Sequence, residues 1–366
     1  MGIPLVDLKS EYLELREEML AAIDEALQSM QLFLGPNVQA LEREWAQFCG
    51  VEHAIGVGNG TEALHLCLRA MGVGAGDEVI TVAWTFFASI EAIIHAGATP
   101  VLADIEPDYF CMDPAALQAA ISERTRAVIP VHIYGHPADM DAIQAICQPR
   151  GIKVLEDAAQ AHGATYQGRA TGSMGDAGVF SFYMSKNLAA YGEGGIATTD
   201  DEQLAADIRM LRDHGQRQRG IFEAVGYNSR LDELQAAIVR LKLRRLVENN
   251  EKRRQHAALY EQLLQHEGII TPKVAPDCQH VFHLYTIRSS RRGEIVAALQ
   301  AADIGFATHY ASLPHKSPAG AGYGLDKVNL PVTEALADEV VSLPMYPGLT
   351  GAQLEQVAET VLAALD

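Results

Sequence analysis

The sequence predicts an α/β protein, with a mostly parallel sheet covered by helices on both faces and a smaller C-terminal lobe of helices and strands. Short apolar runs alternate with helical patterns over residues 54–155, as is typical of a buried parallel sheet. The pattern changes after Gly195, where a long amphipathic stretch, 231–260, is rich in helix-forming residues. We expect this stretch to lead from a large domain, 1–245, into a small domain, 246–366.

The spacing of apolar residues predicts two N-terminal helices, followed by strands and helices that alternate. The predicted helices of the large domain cover residues 11–30, 36–48, 61–71, 86–96, 114–121, 140–147 and 202–213. The predicted strands cover residues 54–57, 78–82, 99–103, 127–131 and 152–155. The small domain is predicted to contain a strand at 281–288, helices at 293–302 and 351–365, and a surface loop at 316–323. Ligands of such sheets bind at the carboxyl ends of the strands.

The composition excludes several classes of function. Lys and Arg number 28 against 47 Asp and Glu, a formal charge of −19, which argues against a nucleic-acid partner. The five cysteines show no paired spacing, so we expect neither a metal site nor a disulfide framework. No segment approaches the length of a membrane span, and the N-terminus has no basic region followed by an apolar run. We therefore expect a cytoplasmic protein without a membrane partner.

An acid and a lysine follow two predicted strands of one sheet. Asp157 follows the strand 152–155, and Lys186 follows an apolar, aromatic stretch. Pyridoxal phosphate (PLP) requires such a pair, because a lysine bonds covalently to its aldehyde and an acid keeps its ring nitrogen protonated. Taken singly, Asp157 also suits a helix cap and Lys186 a surface lysine. Together with the residues around them, they favour the cofactor.

Other residues fit the remaining parts of PLP. The turn 56–61 (GVGNGT) joins a strand to a helix, so the backbone near Gly60 and the hydroxyl of Thr61 suit a phosphate. Ser181 suits a second phosphate hydroxyl, or a small polar filler in the sheet.

A flat ring and an amide complete the predicted cofactor contacts. Phe86 follows a strand and is a candidate to stack on the pyridine ring, although Trp84 or Phe87 could do so, and aromatic residues at strand ends usually belong to the core. Gln160 could hydrogen-bond the phenolic oxygen, and the small Ala159 leaves room for the other ring face.

Six motifs, in order along the whole chain, carry a family resemblance: 4–9 (PLVDLK), 33–36 (FLGP), 156–164 (EDAAQAHGA), 180–188 (FSFYMSKNL), 226–237 (GYNSRLDELQAA) and 342–347 (SLPMYP). The chain resembles the DegT/DnrJ/EryC1/StrS family of PLP-dependent sugar aminotransferases. The resemblance implies a fold-type I PLP-dependent transferase. It also implies a homodimer in which each active site lies at the subunit interface.

The resemblance also implies a role for each matching residue. Lys186 would bond to PLP and carry the proton, Asp157 would pair with the ring nitrogen, and Gln160 with the phenolic oxygen. The phosphate would be held by Gly60, Thr61 and Ser181, with Asn228 reaching it from the partner subunit. Phe86 would stack on the ring, and Arg230, His309 and Tyr310 would face the substrate. For these last three, an ordinary surface or interface position is the alternative.

The implied reaction moves an amino group from L-glutamate to a keto-sugar, with a nucleotide-linked sugar favoured over a free one. The turn 58–60 (GNG), together with the segment 160–162 (QAH), resembles family members that act at C-3 more than those that act at C-4. The alternatives are a keto-cyclitol or another small carbonyl acceptor, and a non-catalytic PLP-binding regulator. Related dehydratases have histidine in place of the lysine, and Lys186 argues against that activity.

Three segments depart from the family pattern. In the segment 309–315 (HYASLPH) neither of the two prolines that usually follow His-Tyr is in its usual place. In addition, 186–190 reads KNLAA instead of KNLGA, and 292–294 reads RGE instead of RDE. None of these changes a residue assigned to PLP. The first lies where the shape of a substrate would be recognised, so the sequence does not identify the sugar.

Overall fold

Two helices begin the chain in the computed structural model, which describes residues 2–366. Helix α1 (Leu8–Ser29) starts after Asp7, whose carboxylate accepts hydrogen bonds from the first-turn amides. Helix α2 (Pro36–Cys49) has proline at its first position and ends at Gly50, which adopts the left-handed conformation (φ 71°). Both predicted N-terminal helices are therefore present.

Strands and helices are numbered below in chain order. The strands are β1 (His53–Val57), β2 (Glu78–Val82), β3 (Thr99–Ala103), β4 (Thr125–Val128), β5 (Lys153–Asp157), β6 (Thr165–Tyr166), β7 (Arg169–Ala170), β8 (Ala177–Ser181), β9 (Gly195–Thr199), β10 (Gln216–Gln218), β11 (Ile221–Phe222), β12 (Cys278–Gln279), β13 (Tyr285–Arg288) and β14 (Val340–Leu343). The remaining α-helices are α3 (Gly60–Ala70), α4 (Ala88–His95), α5 (Pro114–Ala120), α6 (Met140–Cys147), α7 (Glu202–Arg212), α8 (Glu233–Leu243), α9 (Leu246–Leu263), α10 (Arg292–Ala301), α11 (Pro318–Gly322), α12 (Pro331–Leu336) and α13 (Gly351–Ala363).

Seven strands form the central sheet, in the order β1-β9-β8-β5-β4-β2-β3. Only β9 runs antiparallel to its neighbours in this sheet, and the other six strands point the same way. Consecutive residues of β5 face opposite sides, Val154 toward the cluster that contains α5 and α6, and Leu155 toward the cluster that contains α3, α4 and α7. Helices α2 and α8 pack in a further cluster with residues of the sheet. The predicted α/β architecture, a mostly parallel sheet covered on both faces, is confirmed.

The C-terminal part of the chain has a hydrophobic core of its own. Helices α9, α10 and α13 pack around the antiparallel pair β13 and β14. Ile3 also packs in this core, because its backbone pairs with the segment that follows α10, and the amide of Gly305 donates to its carbonyl at 2.7 Å. The division at residue 245/246 falls between α8 and α9 and stays a prediction.

Two predicted elements differ in kind from the structure, and two predicted strands differ in extent, since 281–288 is reduced to β13 and 127–131 is shifted to β4. The single helix predicted over 231–260 is two helices, α8 and α9, since a turn at Arg244 and Arg245 interrupts the α-helical hydrogen bonds and the amide of Arg245 donates to the carbonyl of Lys242 at 2.9 Å. The stretch predicted as a surface loop, 316–323, contains the short helix α11, which Ser317 caps through its hydroxyl. These errors are local and leave the order of the predicted elements unchanged.

The 309–336 segment connects the C-terminal core to the central sheet. Asp104, just after β3, accepts hydrogen bonds from the amides of Val332 (2.9 Å) and Thr333 (3.0 Å) and from the Thr333 hydroxyl (2.6 Å). Leu325 and Leu330 pack in one cluster with residues of β3 and α4. The segment is thereby held over the edge of the sheet where the parallel strands end. None of the helices within residues 2–366 is both long and apolar enough to cross a membrane.

Candidate active site

A cavity of about 1010 Å³ opens where the parallel strands end. This is the place that the topology of such a sheet favours for a ligand. Nine of the residues predicted from sequence line it: Gly60, Thr61, Phe86, Asp157, Gln160, Ser181, Lys186, His309 and Tyr310. The fold thus brings strand ends and the 309–336 segment together around one space.

The turn between β1 and α3 forms one end of the cavity. The side chain of Asn59 caps α3 by accepting from the amide of Glu62 at 2.9 Å. The first amides of the helix, at Gly60 and Thr61, have no acceptor within the helix and are free for an anion. A Cβ atom at Gly60 would lie 2.8 Å from Cβ of Ser181, so only glycine allows this turn to approach the end of β8. The close approach places the Ser181 hydroxyl beside the amides of the turn.

Asp157 ends β5 with its carboxylate at the floor of the cavity, and its side chain is 6% exposed. Oδ2 accepts a hydrogen bond from the hydroxyl of Ser89 at 2.8 Å, and that hydroxyl lies 2.8 Å from the Thr85 hydroxyl. Burial raises the pKa of Asp157, while the bonds from Ser89 and from the amide of Ala159 and the charge of Lys186 act in the opposite direction. A cationic group facing Asp157 would further stabilise the carboxylate.

Lys186 lies in a turn that follows β8. The amide of Lys186 donates to the carbonyl of Tyr183 at 2.9 Å. The next residue anchors the turn, since Asn187 donates to Asn250 of α9 (2.9 Å) and to the carbonyl of Val281 (3.0 Å). Desolvation lowers the pKa of Lys186 to about 8, against the opposing effect of Asp157. Within residues 2–366, its amine makes no hydrogen bond or ion pair with another side chain.

Gln160 lies one turn beyond Asp157, and both ends of its amide are engaged. Oε1 accepts from the backbone amide of Tyr134 at 2.7 Å, and Nε2 donates to the hydroxyl of Tyr310 at 2.9 Å. Because an amide nitrogen carries two hydrogens, one donor is left for a ligand in the cavity.

Of the three aromatic residues considered from sequence, Phe86 is the one with a free face. Its side chain is 64% exposed and lines the cavity. Trp84 is fully buried, stacks on Phe110 and donates to the hydroxyl of Tyr134 at 2.8 Å. Phe87 also lines the cavity but packs against the cluster that contains β3 and α4. The geometry therefore favours Phe86 for stacking.

His309 and Tyr310 form the opposite wall. His309 Nδ1 lies 3.0 Å from the Ser342 hydroxyl, and its backbone carbonyl accepts from the Tyr134 hydroxyl. Burial lowers the pKa of His309 to about 4, so the ring is neutral at physiological pH. Burial also raises the pKa of Tyr310, which keeps its proton. This wall offers neutral donors and acceptors.

Asn228 and Arg230 do not line the cavity. Arg230 Nη1 donates to Asp213 at 3.1 Å, and its guanidinium lies 4.4 Å from the centre of the Phe33 ring. The segment is nevertheless close to the phosphate turn, because the amide of Gly58 donates to the carbonyl of Ser229 at 3.0 Å. Asn228 itself is exposed.

Sequence reasoning missed Ser89, Thr85 and Tyr134. Ser89 lies in the first turn of α4, Thr85 lies three residues before that helix, and their hydroxyls are 2.8 Å apart. The signal available in the sequence was their position shortly after β2, at the carboxyl end of a parallel strand. Tyr134 gives no such signal, since its contacts come from residues far away in the sequence.

The residues fit PLP on three observations of this structure. The amine of Lys186 is unbonded and partly desolvated, the carboxylate of Asp157 is buried at the neighbouring strand end, and the Gly60 turn lies against Ser181 as an anion cradle. This is the donor set that an aldehyde, a ring nitrogen and a phosphate require.

The model of the DegT/DnrJ/EryC1/StrS aminotransferase family matches residues 13–362. The chain belongs to this family. It is a PLP-dependent aminotransferase, and a solved relative, ntda from Bacillus subtilis with bound cofactor PMP, superimposes with a TM-score of 0.92 at 29% identity over all of this chain and 85% of that one. The fold-type I prediction and the cofactor prediction are confirmed.

Several relatives of this aminotransferase are similar over their whole length. A "pleiotropic regulatory protein" of Geobacillus stearothermophilus is 44% identical over 99% of this chain and 98% of that one. The dTDP-3-amino-3,4,6-trideoxy-alpha-D-glucose transaminase of Streptomyces venezuelae is 45% identical over 98% of this chain and 95% of that one. The crystal structure of S. venezuelae DesV superimposes with a TM-score of 0.97 at 44% identity, over 100% of this chain and 99% of that one.

Proposed function

We propose that the protein transfers an amino group from L-glutamate to a nucleotide-linked keto-sugar, with C-3 as the favoured position. The observation that carries the proposal is the facing pair Lys186 and Asp157 in a cavity of about 1010 Å³. That volume, at the upper end of small-molecule sites, has room for the cofactor and a second ligand.

Each residue has a separate task in the proposed reaction. PLP, when bound, supplies an electron-accepting ring for the carbon that loses its proton. Asp157, as a carboxylate, holds the proton on the ring nitrogen. Lys186 removes and returns the substrate proton, and its pKa of about 8 leaves part of the amine neutral near pH 7. Gly60, Thr61 and Ser181 hold the phosphate, Phe86 covers one ring face, and Gln160 donates to the phenolic oxygen.

The substrate class is supported by the relatives. The S. venezuelae transaminase, at 45% identity, is named for a dTDP-linked 3-amino sugar, which agrees with the C-3 position. In this chain His309 and Tyr310 are proposed to contact the sugar, because both line the cavity opposite the cofactor residues and are uncharged. Hydroxyl and imidazole groups suit the hydroxyls of a sugar.

A homodimer with shared active sites is supported by charge and by exposed apolar surface. Lys186 is the only lysine that lines the cavity, and no arginine does, within the described part of the chain, so one subunit offers little to balance a diphosphate. Arg217, Arg219 and Arg230 lie outside it. Leu13, Leu20 and Leu27 are exposed at seven-residue spacing along α1, where an unpartnered apolar stripe is unusual.

The proposed arrangement is an isologous dimer in which Asn228 and Arg230 of each subunit serve the partner's cavity. The proposed compartment is the cytoplasm, which suits five cysteines without a disulfide among the described residues.

The reaction can be tested in two halves. L-Glutamate added to the PLP-loaded protein should convert the cofactor to its pyridoxamine form and release one equivalent of 2-oxoglutarate per site. The pyridoxamine form should then be reoxidised by a nucleotide-linked 3-keto-sugar, with a 4-keto isomer, a nucleotide-free keto-sugar and a keto-cyclitol as comparisons. Failure of the first half in all preparations would favour the non-catalytic regulator, a possibility kept open by the G. stearothermophilus relative's name. Reoxidation by the cyclitol alone would change the substrate class.

The dimer can be tested by mixing two inactive variants, Lys186→Ala and Asn228→Ala. In a mixed dimer one site carries both lesions, and the other has both residues intact. Activity regained on co-refolding would support shared sites, whereas a fully active monomer in sedimentation analysis would exclude them.

A further inference from the structure

Tyr134 connects three parts of the molecule that lie far apart in the sequence. It follows β4 in a short helical turn, Ile133–Gly135, and is buried. Its hydroxyl accepts from Trp84 Nε1 at 2.8 Å and donates to the carbonyl of His309, while its amide donates to Gln160 at 2.7 Å. Its ring packs edge-on against Phe110, with centroids 5.4 Å apart. One residue thus contacts a strand end, the cofactor-side amide and the substrate-side wall.

The turn around Tyr134 is also fixed to the entry of β13. The carbonyl of Tyr134 accepts from the amide of Leu284 at 3.3 Å, and that of Gly135 accepts from Val281 at 3.1 Å. Tyr134 has a positive φ of 58°, which is rare for a residue with a bulky side chain and persists where the surroundings hold it. A Cβ at Gly135 would lie 2.7 Å from the Val281 side chain, so the turn and this strand entry are closely fitted.

The contacts of Tyr134 orient two side chains, those of Gln160 and Tyr310. Because its amide occupies Oε1 of Gln160, the Gln160 nitrogen faces the cavity and the Tyr310 hydroxyl, 2.9 Å away. The Tyr134 hydroxyl donates to the backbone carbonyl of His309, the residue before Tyr310. Tyr310 is therefore held at both ends, at its hydroxyl through Gln160 and at its backbone through the Tyr134 hydroxyl.

We infer that Tyr134 is a positioning residue that fixes the His309–Tyr310 wall relative to the cofactor-binding strand ends, and through that wall sets the affinity for the amino acceptor. The inference rests on the proposed function, since it assigns the wall to the acceptor. Tyr134 does not line the cavity and touches no reacting atom.

The test is Tyr134→Phe, which keeps the ring and removes only the hydroxyl. The KM for the keto-sugar acceptor should rise about tenfold, as expected for the loss of a hydrogen bond that orients a binding wall, with kcat changed less than about threefold. PLP affinity of the apoprotein should stay within about twofold of the parent, because the phosphate and ring contacts are untouched. Amide hydrogen exchange over residues 309–312 should be faster in the cofactor-free variant.

Tyr166→Phe is the matched control. Its hydroxyl donates to Asp139 at 2.9 Å, and neither residue lines the cavity. The control should have the same KM for the keto-sugar acceptor as the parent, and the same rate of amide hydrogen exchange over residues 309–312. A Tyr134→Phe protein that melts at a lower temperature yet keeps the parent KM would overturn the inference, as would equal exchange in the two variants. If the parent protein itself failed to carry out the L-glutamate half-reaction, the proposed function would be refuted instead.

Discussion

The two walls of the cavity are built in different ways. The cofactor wall consists of residues at or shortly after the ends of strands of one sheet: Gly60 after β1, Asp157 at the end of β5, and Lys186 after β8. The opposite wall, His309 and Tyr310, belongs to a segment outside that sheet. It is held by hydrogen bonds to residues 175 and 150 positions away, from Tyr134 and from Gln160. The first wall therefore follows from local sequence order, and the second from long-range packing.

The walls also differ in charge. Burial raises the pKa of Asp157 and lowers that of Lys186 to about 8, so a partly desolvated acid and base face each other on the cofactor wall. On the other wall, burial leaves His309 and Tyr310 neutral. Ionisable groups with shifted pKa values are common at catalytic sites, whereas neutral polar groups are suited to substrate binding. Variants of the two walls should therefore have different kinetic effects.

The largest effect is expected at Lys186. Lys186→Ala removes the amine that is proposed to bond to PLP and move the proton, so turnover should fall to background while the protein stays folded. Lys186→Arg should be equally inactive, because a guanidinium is not deprotonated near neutral pH. Steady-state transamination and circular dichroism check both statements. If either variant kept ordinary activity and L-glutamate still converted its bound cofactor to the pyridoxamine form, the catalytic role assigned to Lys186 would be wrong.

The cofactor wall could be predicted because parallel strands end at one edge of the sheet. A residue that follows a buried strand, as Asp157 does, is placed near other such residues by topology alone. The sequence does not single out Phe86, because three aromatic residues lie among the first five residues after β2. Only side-chain packing separates the buried Trp84 from the exposed Phe86.

A large but incomplete loss is expected for Asp157→Asn. The amide has nearly the same shape but no charge, so it would not perform the role proposed for Asp157, which is to hold the proton on the ring nitrogen. The rate should fall by roughly a hundredfold or more, which corresponds to about 3 kcal/mol of barrier. Cofactor binding should persist in part and can be followed by absorbance and by equilibrium dialysis. A rate within a few-fold of the parent would show that Asp157 serves only as a structural acceptor.

An intermediate effect is expected for Ser89→Ala. The Ser89 hydroxyl donates to Asp157 at 2.8 Å and favours the ionised carboxylate. Its removal leaves the effect of burial less opposed, so the pKa of Asp157 should rise further. Asp157 then becomes protonated at a higher pH, so the acid limb of the pH–rate profile should move upward, with a smaller loss at neutral pH than in Asp157→Asn.

Thr85→Val is the control for that variant. Thr85 reaches Asp157 only through Ser89, so its loss should move the acid limb much less. An unchanged acid limb in Ser89→Ala would show that this hydroxyl does not tune Asp157.

The contacts that hold the second wall could not be predicted from the sequence, because they join residues far apart in the chain. His309 and Tyr310 were named from the family resemblance, but Tyr134 and Asp104, which hold their segment, lie beyond any helical or strand spacing from it. The break between α8 and α9 was missed in a similar way. The residues at the break, Arg244 and Arg245, are good helix formers and keep helical backbone angles, so the sequence contains no helix breaker there.

The smallest effect is expected at the far end of the substrate-side segment. Thr333→Val removes the hydroxyl that donates to Asp104 at 2.6 Å, but the amides of Val332 and Thr333 still donate to that carboxylate. Unfolding free energy should fall by about 1 kcal/mol, the usual contribution of one hydrogen bond. The KM for the acceptor should rise only about twofold, because the bonds to His309 and Tyr310 remain. Thr360→Val, on the exposed side of α13, supplies the comparison, since its hydroxyl bonds only to the carbonyl of Gln356. If Thr333→Val raised the KM as much as Tyr134→Phe, the wall would be set by the whole 309–336 segment and not by the bonds next to the cavity.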